Sequence, residues 1–262
     1  MHRKQRHFLI LKAVRGKAVT TVPDLVKATG ASEATIRRDI IELDSLGKLK
    51  KIRGGVERVT PALQPSLKGK PFEINETIHQ EKKRAIGDHA ASLCNDGDSI
   101  ILCGGTTVYA MARALKDKQL TVLTNSLPNM EFLLNHTQST VTMPGGLIYR
   151  EQNILLSPYE DQITKSFFAK RCFFSALSAG PVGPMEADEL IITSVTRFLG
   201  QSLSLILLLD SSKFNSQGSL IVCSWERIDT VITDGGLDRE KRKSIEDLGI
   251  RLIVVPVEKQ EA

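Results

Sequence analysis

The stretch SEATIRRDIIELDSLGKLKKIRGG, residues 32–55, joins a helix with an apolar stripe to a basic segment that ends in two glycines. At about 100° per residue, Ile36 and Ile40 fall on one side of this helix, Arg38 falls almost opposite them, and Arg37 lies at the flank. Beyond the helix, apolar residues alternate with lysines up to the Gly-Gly turn, a pattern typical of a two-stranded hairpin. The stretch therefore predicts a helix with one buried side, followed by a basic wing.

Two more helices are predicted ahead of this stretch. The first runs from Lys4 to Val14. The second opens with TVPD at residues 21–24, where a cap threonine, a first-turn proline and an acid favour a helix start. It ends at Gly30, and Ser32 is placed to cap the next helix. Two short helices joined this tightly through a glycine predict a helix-turn-helix. The residues expected on the inner side of the first helix are Phe8, Ile10 and Leu11.

Positive charge is concentrated in the first quarter of the 262-residue chain. Residues 1–60 hold 14 Lys and Arg against 6 Asp and Glu, a net charge of +8, whereas the remainder holds 21 against 24, a net charge of −3. This asymmetry predicts a polyanion-binding module attached to a domain with another role. A small helical bundle without a ligand is the alternative for the first quarter, and it leaves the charge unexplained.

A recognition helix inserts its N-terminal half into the major groove of DNA, where an arginine can donate two hydrogen bonds to guanine. Arg38 is therefore the predicted base reader. The alternative is that Arg38 only pairs with Glu42 on an exposed helix face, an interaction of little energy. The residues placed for phosphate contacts are Ser32, Thr35 and Arg37. The wing residues that would extend the contact are Lys48, Lys50, Lys51 and Arg53.

The chain divides at a proline-rich segment. Residues 60–77, TPALQPSLKGKPFEINET, contain three prolines and little apolar periodicity, which favours an extended linker. We therefore predict a DNA-binding domain at residues 1–60, a linker at 61–77 and a second domain at 78–262.

In the second domain, short runs rich in Val, Ile and Leu alternate with helical segments such as Val108–Leu115 and Glu240–Leu248. This alternation predicts an α/β fold with an open, mostly parallel sheet. The predicted strands are Ser99–Cys103, Thr121–Leu123, Thr140–Met143, Arg171–Ala176, Leu203–Leu209, Thr230–Thr233 and Leu252–Val255.

Ligands of such sheets bind beyond the carboxyl ends of the strands, so the loops there form the candidate site. The first strand runs into Gly104-Gly105-Thr106-Thr107, which offers backbone N–H groups, two hydroxyls and a helix N-terminus to an anion. The candidates after the other strands are Thr124, Asn125, Gly145, Gly146 and Lys213. Hydroxyls, an amide, open glycine backbone and a lysine together predict a cleft for a small phosphorylated sugar or polyol.

The sequence predicts no metal site and no cofactor. Cys94, Cys103, Cys172 and Cys223 are widely spaced and follow no metal-binding pattern, so they are expected to be small buried hydrophobic residues in a reducing compartment. No apolar run reaches the roughly 18 residues of a membrane span, and the basic N-terminus lacks the apolar segment of a signal peptide. A cytoplasmic protein is therefore expected.

These motifs together resemble the DeoR family of bacterial sugar-catabolism repressors. The resemblance rests on the 32–55 stretch and on GDSIILCGGTTVYAMARAL, LTVLTNS, MPGGLI and LLLDSSKF in the second domain, and it extends over residues 6–255. It implies a winged helix-turn-helix that binds double-stranded operator DNA as a dimer or tetramer, and an effector domain similar in fold to ribose-5-phosphate isomerase. It also implies that residues 104–107 cradle an effector phosphate, that the Thr-Asn and Gly-Gly pairs line the cleft, and that Lys213 completes it.

The chain departs from the family pattern at several positions. Cys103 stands where many members carry an acidic residue, Glu186 and Glu189 are the two candidates for a family glutamate, and its neighbouring lysine is absent. Two other functions stay open. A sugar-phosphate isomerase-like enzyme with an accessory DNA-binding arm needs a positioned base, for which these glutamates and Asp210 are candidates. A ligand-free architectural DNA-binding protein leaves residues 104–107 without a role.

Overall fold

The computed structural model describes residues 2–15, 19–45, 49–57, 70–157, 162–215 and 218–257. The chain forms two compact units, Met1–Pro65 and Ser66–Ala262. A separate hydrophobic cluster lies in the smaller unit, and two clusters lie in the larger one.

The smaller unit consists of helices and a small sheet. Its elements are α1 (Arg3–Arg15), β1 (Val19–Thr21), α2 (Val22–Thr29), α3 (Glu33–Ser45), β2 (Lys50–Ile52) and β3 (Gly55–Glu57). β2 and β3 form the predicted hairpin, and β1 pairs antiparallel with β3, so the described sheet has three strands in the order β1-β3-β2. The prediction of a two-stranded wing missed β1 because this strand has only three residues and lies far from the hairpin in sequence.

Local sequence sets the ends of the two helices of the helix-turn-helix. The Thr21 hydroxyl accepts the Asp24 N–H at 3.3 Å and so caps α2. Gly30 ends this helix with a φ of 67°, a left-handed conformation that a side chain would disfavour. Ser32 Oγ accepts the Thr35 N–H at 3.4 Å at the start of α3. The predicted start and end of α2 and the predicted start of α3 are therefore confirmed.

The core of the smaller unit lies between the helices and the sheet. Ile10, Ile36 and Ile40 are buried in it, as predicted. Leu11 is half-buried, but the prediction for Phe8 was wrong, because this side chain is 63% exposed. Phe8 precedes Ile10 by two residues, which is about 200° around a helix, so the two side chains cannot share one face.

The larger unit alternates strands and helices. Its helices are α4 (Phe72–Glu76), α5 (Gln80–Ser92), α6 (Thr106–Ala114), α7 (Leu127–His136), α8 (Gln162–Ser166), α9 (Glu189–Leu199) and α10 (Arg239–Glu246), with 3-10 turns at Ser211–Asn215 and Trp225–Arg227. Its strands are β4 (Ser99–Leu102), β5 (Thr121–Thr124), β6 (Thr140–Thr142), β7 (Leu147–Tyr149), β8 (Ile154–Leu156), β9 (Ala169–Phe174), β10 (Ser178–Ala179), β11 (Pro184–Glu186), β12 (Ser202–Leu208), β13 (Leu220–Ile221), β14 (Thr230–Asp234) and β15 (Arg251–Val255).

The seven predicted strands form one parallel sheet in the order β15-β14-β12-β9-β4-β5-β6. From β4 the chain adds β5 and β6 on one side, and from β9 it adds β12, β14 and β15 on the other. The strand order therefore reverses between β4 and β9. Ligands of open α/β sheets bind beyond the carboxyl ends of the strands at such a switch point. The fold class that the sequence predicted, α/β with an open parallel sheet, is confirmed.

Helices cover both faces of this sheet. One face is covered by apolar residues of α5 and α6, and the other by those of α9 and α10. Strands β7 and β8 form a separate antiparallel hairpin, and β10, β11 and β13 form a second small sheet. The four cysteines are free and buried, as predicted.

The structured part of the larger unit begins before Ile78. Phe72 is buried, its N–H donates to the Glu151 carbonyl at 2.8 Å, and its ring meets Tyr109 edge-on at 5.8 Å. Helix α4 thus lies inside the segment 61–77 that was predicted to be a linker. The prolines of this segment favour an extended chain, but the burial of Phe72 holds its last part against the larger unit. Residues 61–69 of that segment lie outside the described residues.

None of the helices within the described residues is long and apolar enough to cross a membrane.

Candidate DNA-binding surface and effector cleft

The outer side of α3 carries the predicted DNA contacts. Arg38 is exposed and pairs with none of the residues that the structure describes. The expected alternative partner, Glu42, lies against Arg3 of α1 instead. Arg37 is also exposed, and it donates to Glu33 one turn earlier, with Nη2 2.5 Å from Oε1. The guanidinium of Arg38 is therefore open to a ligand, whereas that of Arg37 already has an acidic partner.

Ser32 and Thr35 lie at the start of the same helix. Their hydroxyl oxygens are 2.8 Å apart, with Ser32 exposed and Thr35 half-buried. Both hydroxyls therefore stand at the first turn of α3, where a backbone phosphate could be bound.

Asp39 holds α3 in place from its buried side. It is 4% exposed, and it accepts two hydrogen bonds from Arg6 of α1, at 2.6 and 3.0 Å, while His7 lies at 3.1 Å. Burial acts to raise the pKa of the Asp39 carboxyl, but the hydrogen bonds and charges of Arg6 and His7 outweigh it and the pKa is lowered. Asp39 is therefore a structural residue, and α1 fixes the orientation of the recognition helix.

The wing keeps its basic side chains in solvent. Lys50, Lys51 and Arg53 are exposed; Lys50 Nζ lies 3.6 Å from Glu57, and the Lys51 N–H donates to Asp44 at 2.9 Å. Lys48, the fourth predicted wing contact, lies outside the described residues. The described wing cations are thus available to DNA phosphates.

In the larger unit, the glycine loop follows β4 at the switch point of the sheet. The Gly104 N–H donates to Asn125 Oδ1 at 2.9 Å, and Asn125 Nδ2 donates to Ser194 of α9 at 2.8 Å. The Thr124 hydroxyl donates to the Leu102 carbonyl at 2.6 Å. Thr124 and Asn125 are both fully buried. The structure therefore brings these two predicted residues to the loop, where they fix its backbone from below and do not offer an open surface.

The next three residues begin α6. Gly105 has a φ of 137°, which a side chain would disfavour. Thr106 and Thr107 are 4% and 0% exposed, and neither hydroxyl has a hydrogen-bond partner among the described residues. A buried hydroxyl without a partner costs free energy, so such groups usually serve a ligand or a water molecule. Together with the free N–H groups of the helix start, they make an anion-binding arrangement.

Lys213 reaches the same loop from the end of β12. Its ammonium donates to the Ala176 carbonyl at 2.6 Å and lies 3.5 Å from the Ser175 hydroxyl. A side chain added at Gly105 would contact Ser175 at 3.4 Å, so Ser175 stands between the loop and the lysine. Burial lowers the pKa of the Lys213 ammonium, while the charges of Asp210 and Glu186 act to raise it.

Lys83 on α5 is a second buried lysine that the sequence did not single out. It is 2% exposed, and its ammonium donates to the Asn75 carbonyl. Burial, followed by the charge of Lys213, lowers its pKa to about 8. Its position three residues before the buried Ile86 put a charge on the apolar side of the helix, and this was the sequence signal that could have revealed it.

Lys83 and Thr106 line one cavity between α4, α5 and α6. Its volume is about 430 Å³, within the range of small-molecule sites. Lys83 and Thr106 are buried in its wall, whereas Arg84 and Arg113 are exposed at its rim. The complete lining is Glu76, Gln80, Glu81, Lys83, Arg84, Asp88, Thr106, Tyr109, Ala110, Arg113 and Ala114.

Gly145 and Gly146 follow β6, the edge strand, two strands away from β4. They are exposed and lead into the β7–β8 hairpin. A Cβ at Gly146 would lie 2.1 Å from the Leu156 carbonyl oxygen, so this glycine allows the two hairpin strands to meet. Ile154 of the same hairpin covers Gly104, at 2.4 Å from a Cβ added there. The structure thus relates these glycines to the Gly104 loop only through the β7–β8 hairpin, and it does not place them in the cavity beside Thr106.

Within the described residues, no group of three or more His, Cys, Asp or Glu side chains is arranged to hold a metal ion.

Comparison with known proteins agrees with this two-part architecture. Residues 6–62 match the DeoR-like helix-turn-helix domain, and residues 78–235 match the DeoR C-terminal sensor domain. The chain belongs to the DeoR family. It is a DNA-binding transcriptional regulator with a sensor domain, as the sequence predicted.

Individual relatives carry related names. The chain is 29% identical to the HTH-type transcriptional regulator UlaR of Escherichia coli over 256 residues, which is 97% of this chain and 100% of that protein. Among solved structures, ribose 5-phosphate isomerase A from Methanocaldococcus jannaschii is similar with a TM-score of 0.36 and 13% identity, over 50% of this chain and 53% of that one. The translation initiation factor eIF-2B of Pyrococcus horikoshii OT3 gives a TM-score of 0.41 and 13% identity, over 86% and 81%.

Proposed function

We propose that this DeoR-family regulator represses a carbohydrate-utilisation operon and is released from its operator by a small phosphorylated sugar or polyol. The observation that carries the effector class is the pair of buried hydroxyls, Thr106 and Thr107, that lack hydrogen-bond partners in the described structure. They stand at the start of α6, and Thr106 lines the same cavity as the buried Lys83. A phosphate supplies the acceptor oxygens and negative charge that these groups require.

The DNA-binding half of the proposal rests on α3 and the wing. Arg38 is open for a base edge, and Arg37, Ser32, Thr35 and the wing cations are positioned for phosphates. Because helix-turn-helix proteins read two half-sites one or more helical turns apart, the active form is proposed to be a dimer or tetramer. Effector binding then shifts the population toward an arrangement with unsuitable spacing. A cytoplasmic location is part of the same proposal.

A sugar-phosphate isomerase-like enzyme is the less favoured function. The relatives are named transcriptional regulators, and the buried carboxylates near Lys213 are occupied by internal partners. Asp210 accepts the Ser212 N–H at 3.1 Å and also the Ser212 hydroxyl. Conversion of a sugar phosphate into its isomer on incubation with the protein, followed by NMR, would reveal such an activity.

The test uses the purified full-length protein and a labelled fragment of the DNA upstream of its own gene. Binding is measured by fluorescence anisotropy, first against salt and then against a panel of sugar and polyol phosphates. Affinity is expected to fall by about 10³-fold or more between 50 and 200 mM salt, because phosphate contacts dominate. At least one phosphate should release the DNA, and its unphosphorylated parent should not. Salt-insensitive binding contradicts the DNA half, and a panel without any effect contradicts the effector half.

A further inference from the structure

The cavity between α4, α5 and α6 is lined by both acidic and basic side chains. Glu81, Asp88, Arg84 and Arg113 are exposed at its edge, so water solvates their charges. The two remaining charged side chains form part of the wall: Lys83 is buried, and Glu76 is half-buried. A ligand inside the cavity therefore meets one ammonium and one carboxylate that are withdrawn from water.

The two wall charges do not form an ion pair with each other. The Lys83 ammonium donates to the carbonyl of Asn75, which is the residue before Glu76 on α4. Among the residues that the structure describes, none forms a hydrogen bond or an ion pair with the Glu76 carboxylate. A carboxylate that is withdrawn from water without a partner costs free energy, so Glu76 favours a ligand that brings a positive charge to it.

Thr106 marks where the anionic group of a ligand binds. It lines the same cavity as Lys83 and Glu76, it is 4% exposed, and its hydroxyl has no hydrogen-bond partner among the described residues. It is also the first residue of α6, where the helix dipole favours negative charge. A phosphate bound by Thr106 and Lys83 leaves Glu76 as the wall charge without a counter-ion.

We propose that the effector is zwitterionic: its phosphate binds at Thr106 and Lys83, and an ammonium group of the same molecule binds the Glu76 carboxylate. The effector class is thus an amino-sugar or amino-alcohol monophosphate, and Glu76 selects it against the hydroxyl compound of the same skeleton. This inference rests on the proposed function, since it assumes a phosphorylated effector.

Charge favours the amine over the alcohol at Glu76. A hydroxyl can also donate to a carboxylate, but a hydrogen bond between two charged groups is stronger. The amine neutralises Glu76, whereas the alcohol leaves the phosphate and the carboxylate as like charges in one cavity, which is costly where water is excluded. Discrimination of this kind depends on the penalty that the wrong ligand meets as well as on the contact that the right one gains.

Two pairs of probes differ only at the proposed ammonium. They are 2-aminoethyl phosphate with 2-hydroxyethyl phosphate, and glucosamine 6-phosphate with glucose 6-phosphate. Inorganic phosphate probes the anion-binding part of the cavity alone. Binding to the full-length protein is measured by calorimetry at pH 7, below the pKa of about 8 of Lys83. We expect the amine of at least one pair to bind about tenfold or more tightly than its alcohol, a difference of about 1.4 kcal/mol.

The matched variants are Glu76→Gln, which keeps the shape and removes the charge, and Glu73→Gln. Glu73 belongs to the same helix, but it is exposed and does not line the cavity. Glu76→Gln should weaken binding of the amine about tenfold and leave the alcohol bound as tightly or more tightly, because it removes a negative charge near the phosphate. Glu73→Gln should keep the amine-to-alcohol ratio of the natural protein. General damage to the fold would weaken both ligands, so the two causes are distinguishable.

The outcomes separate this inference from the proposed function. Equal affinity for amine and alcohol in the natural protein, or a preference for the alcohol, overturns the role of Glu76 alone. A ratio that Glu76→Gln does not change, or an equal loss of both ligands in that variant, does the same. Failure of every phosphate, including inorganic phosphate, to bind overturns the phosphorylated effector itself.

Discussion

Asp39 of the recognition helix and Arg6 of the first helix form a two-point ion pair, with Arg6 Nε 2.6 Å from Oδ2 and Nη2 3.0 Å from Oδ1 of the carboxylate. Both side chains are largely removed from solvent, at 15% and 5% exposure. Such charge-assisted, bidentate pairs are shorter and stronger than neutral hydrogen bonds. In the motif RRD, residues 37–39, the two arginines thus face solvent on the side proposed to bind DNA, whereas Asp39 faces the interior of the smaller unit.

Replacing Asp39 by Asn should loosen α1 and α3. The Asn side chain has only one acceptor oxygen and carries no charge. Local opening of both helices should therefore become easier, and exchange of their backbone amide hydrogens should accelerate by about tenfold. Hydrogen exchange at pH 7 measures this. Glu33→Gln is the control, because it removes an exposed pair, with Arg37 57% and Glu33 59% exposed, and exposed pairs contribute little. Equal exchange in both variants would contradict a structural role for Asp39.

The same pair predicts a pH dependence. The pKa of Asp39 is lowered in the folded protein, so its contribution to stability is fully present above the unfolded value of 3.8 and is lost as pH falls through the folded pKa. The stability of the smaller unit, followed by exchange of its slowest amides, should therefore decline below pH 4 in the natural protein. In Asp39→Asn this part of the decline should be absent. A parallel decline in both proteins counts against the assignment.

Arg38→Ala and Arg37→Ala should differ in their effect on DNA binding. Arg38 is open for a base edge, so its loss should cost about 1–3 kcal/mol and relax sequence preference at one position. Arg37 is placed for a phosphate, so its loss should weaken all sequences alike and lower the salt slope by about one. Anisotropy titrations with the upstream DNA and with single-base variants distinguish the two. Identical behaviour of the two variants would contradict this division of roles.

Lys83→Arg should extend phosphate binding to higher pH. The pKa of Lys83 is about 8 because of burial and the charge of Lys213, so above that pH its neutral form offers no positive charge to an anion. Inorganic phosphate should therefore bind the natural protein more weakly at pH 9 than at pH 7, and Lys83→Arg, which stays charged, should lose less over that range. The Lys83→Met variant should bind inorganic phosphate weakly at both pH values. Sulfate keeps the same charge between pH 7 and pH 9, so calorimetry with sulfate controls for the titration of phosphate itself. A pH profile that Lys83→Arg leaves unchanged contradicts the assignment.

Gly87→Ala should disturb the cleft from a distance. A Cβ at Gly87 of α5 would lie 2.5 Å from the Met111 backbone nitrogen of α6, so the two helices must separate. Overpacking of this kind costs about 1–3 kcal/mol, and it also displaces Thr106 from Lys83. The Tm of the larger unit and its phosphate affinity should both fall. At Gly200 an added Cβ meets nothing within 4 Å, so Gly200→Ala is the control. An unchanged Tm in Gly87→Ala would show that the helices adjust.

The sequence by itself determined the helix-turn-helix and the seven strands of the parallel sheet, in their order along the chain. Helix periodicity placed Arg38 opposite Ile36, and the cap residues Thr21, Gly30 and Ser32 marked the helix ends. Short apolar runs predicted all seven strands of the parallel sheet, and the loop that ends at Thr107 was found because glycines and hydroxyls follow the first of them. These signals are local: each depends on residues within a few positions along the chain.

Only the tertiary structure decided which side chains meet. Strand order brings Gly104, Ser175 and Lys213 to one switch point although they are far apart in sequence, and it leaves Gly145 two strands away. It buries Thr124 and Asn125 beneath the loop, and it adds Lys83, whose significance depends on its burial and on the charge of Lys213. Desolvation and long-range pairing depend on neighbours that are far apart in sequence, so a periodic pattern along the chain cannot predict them.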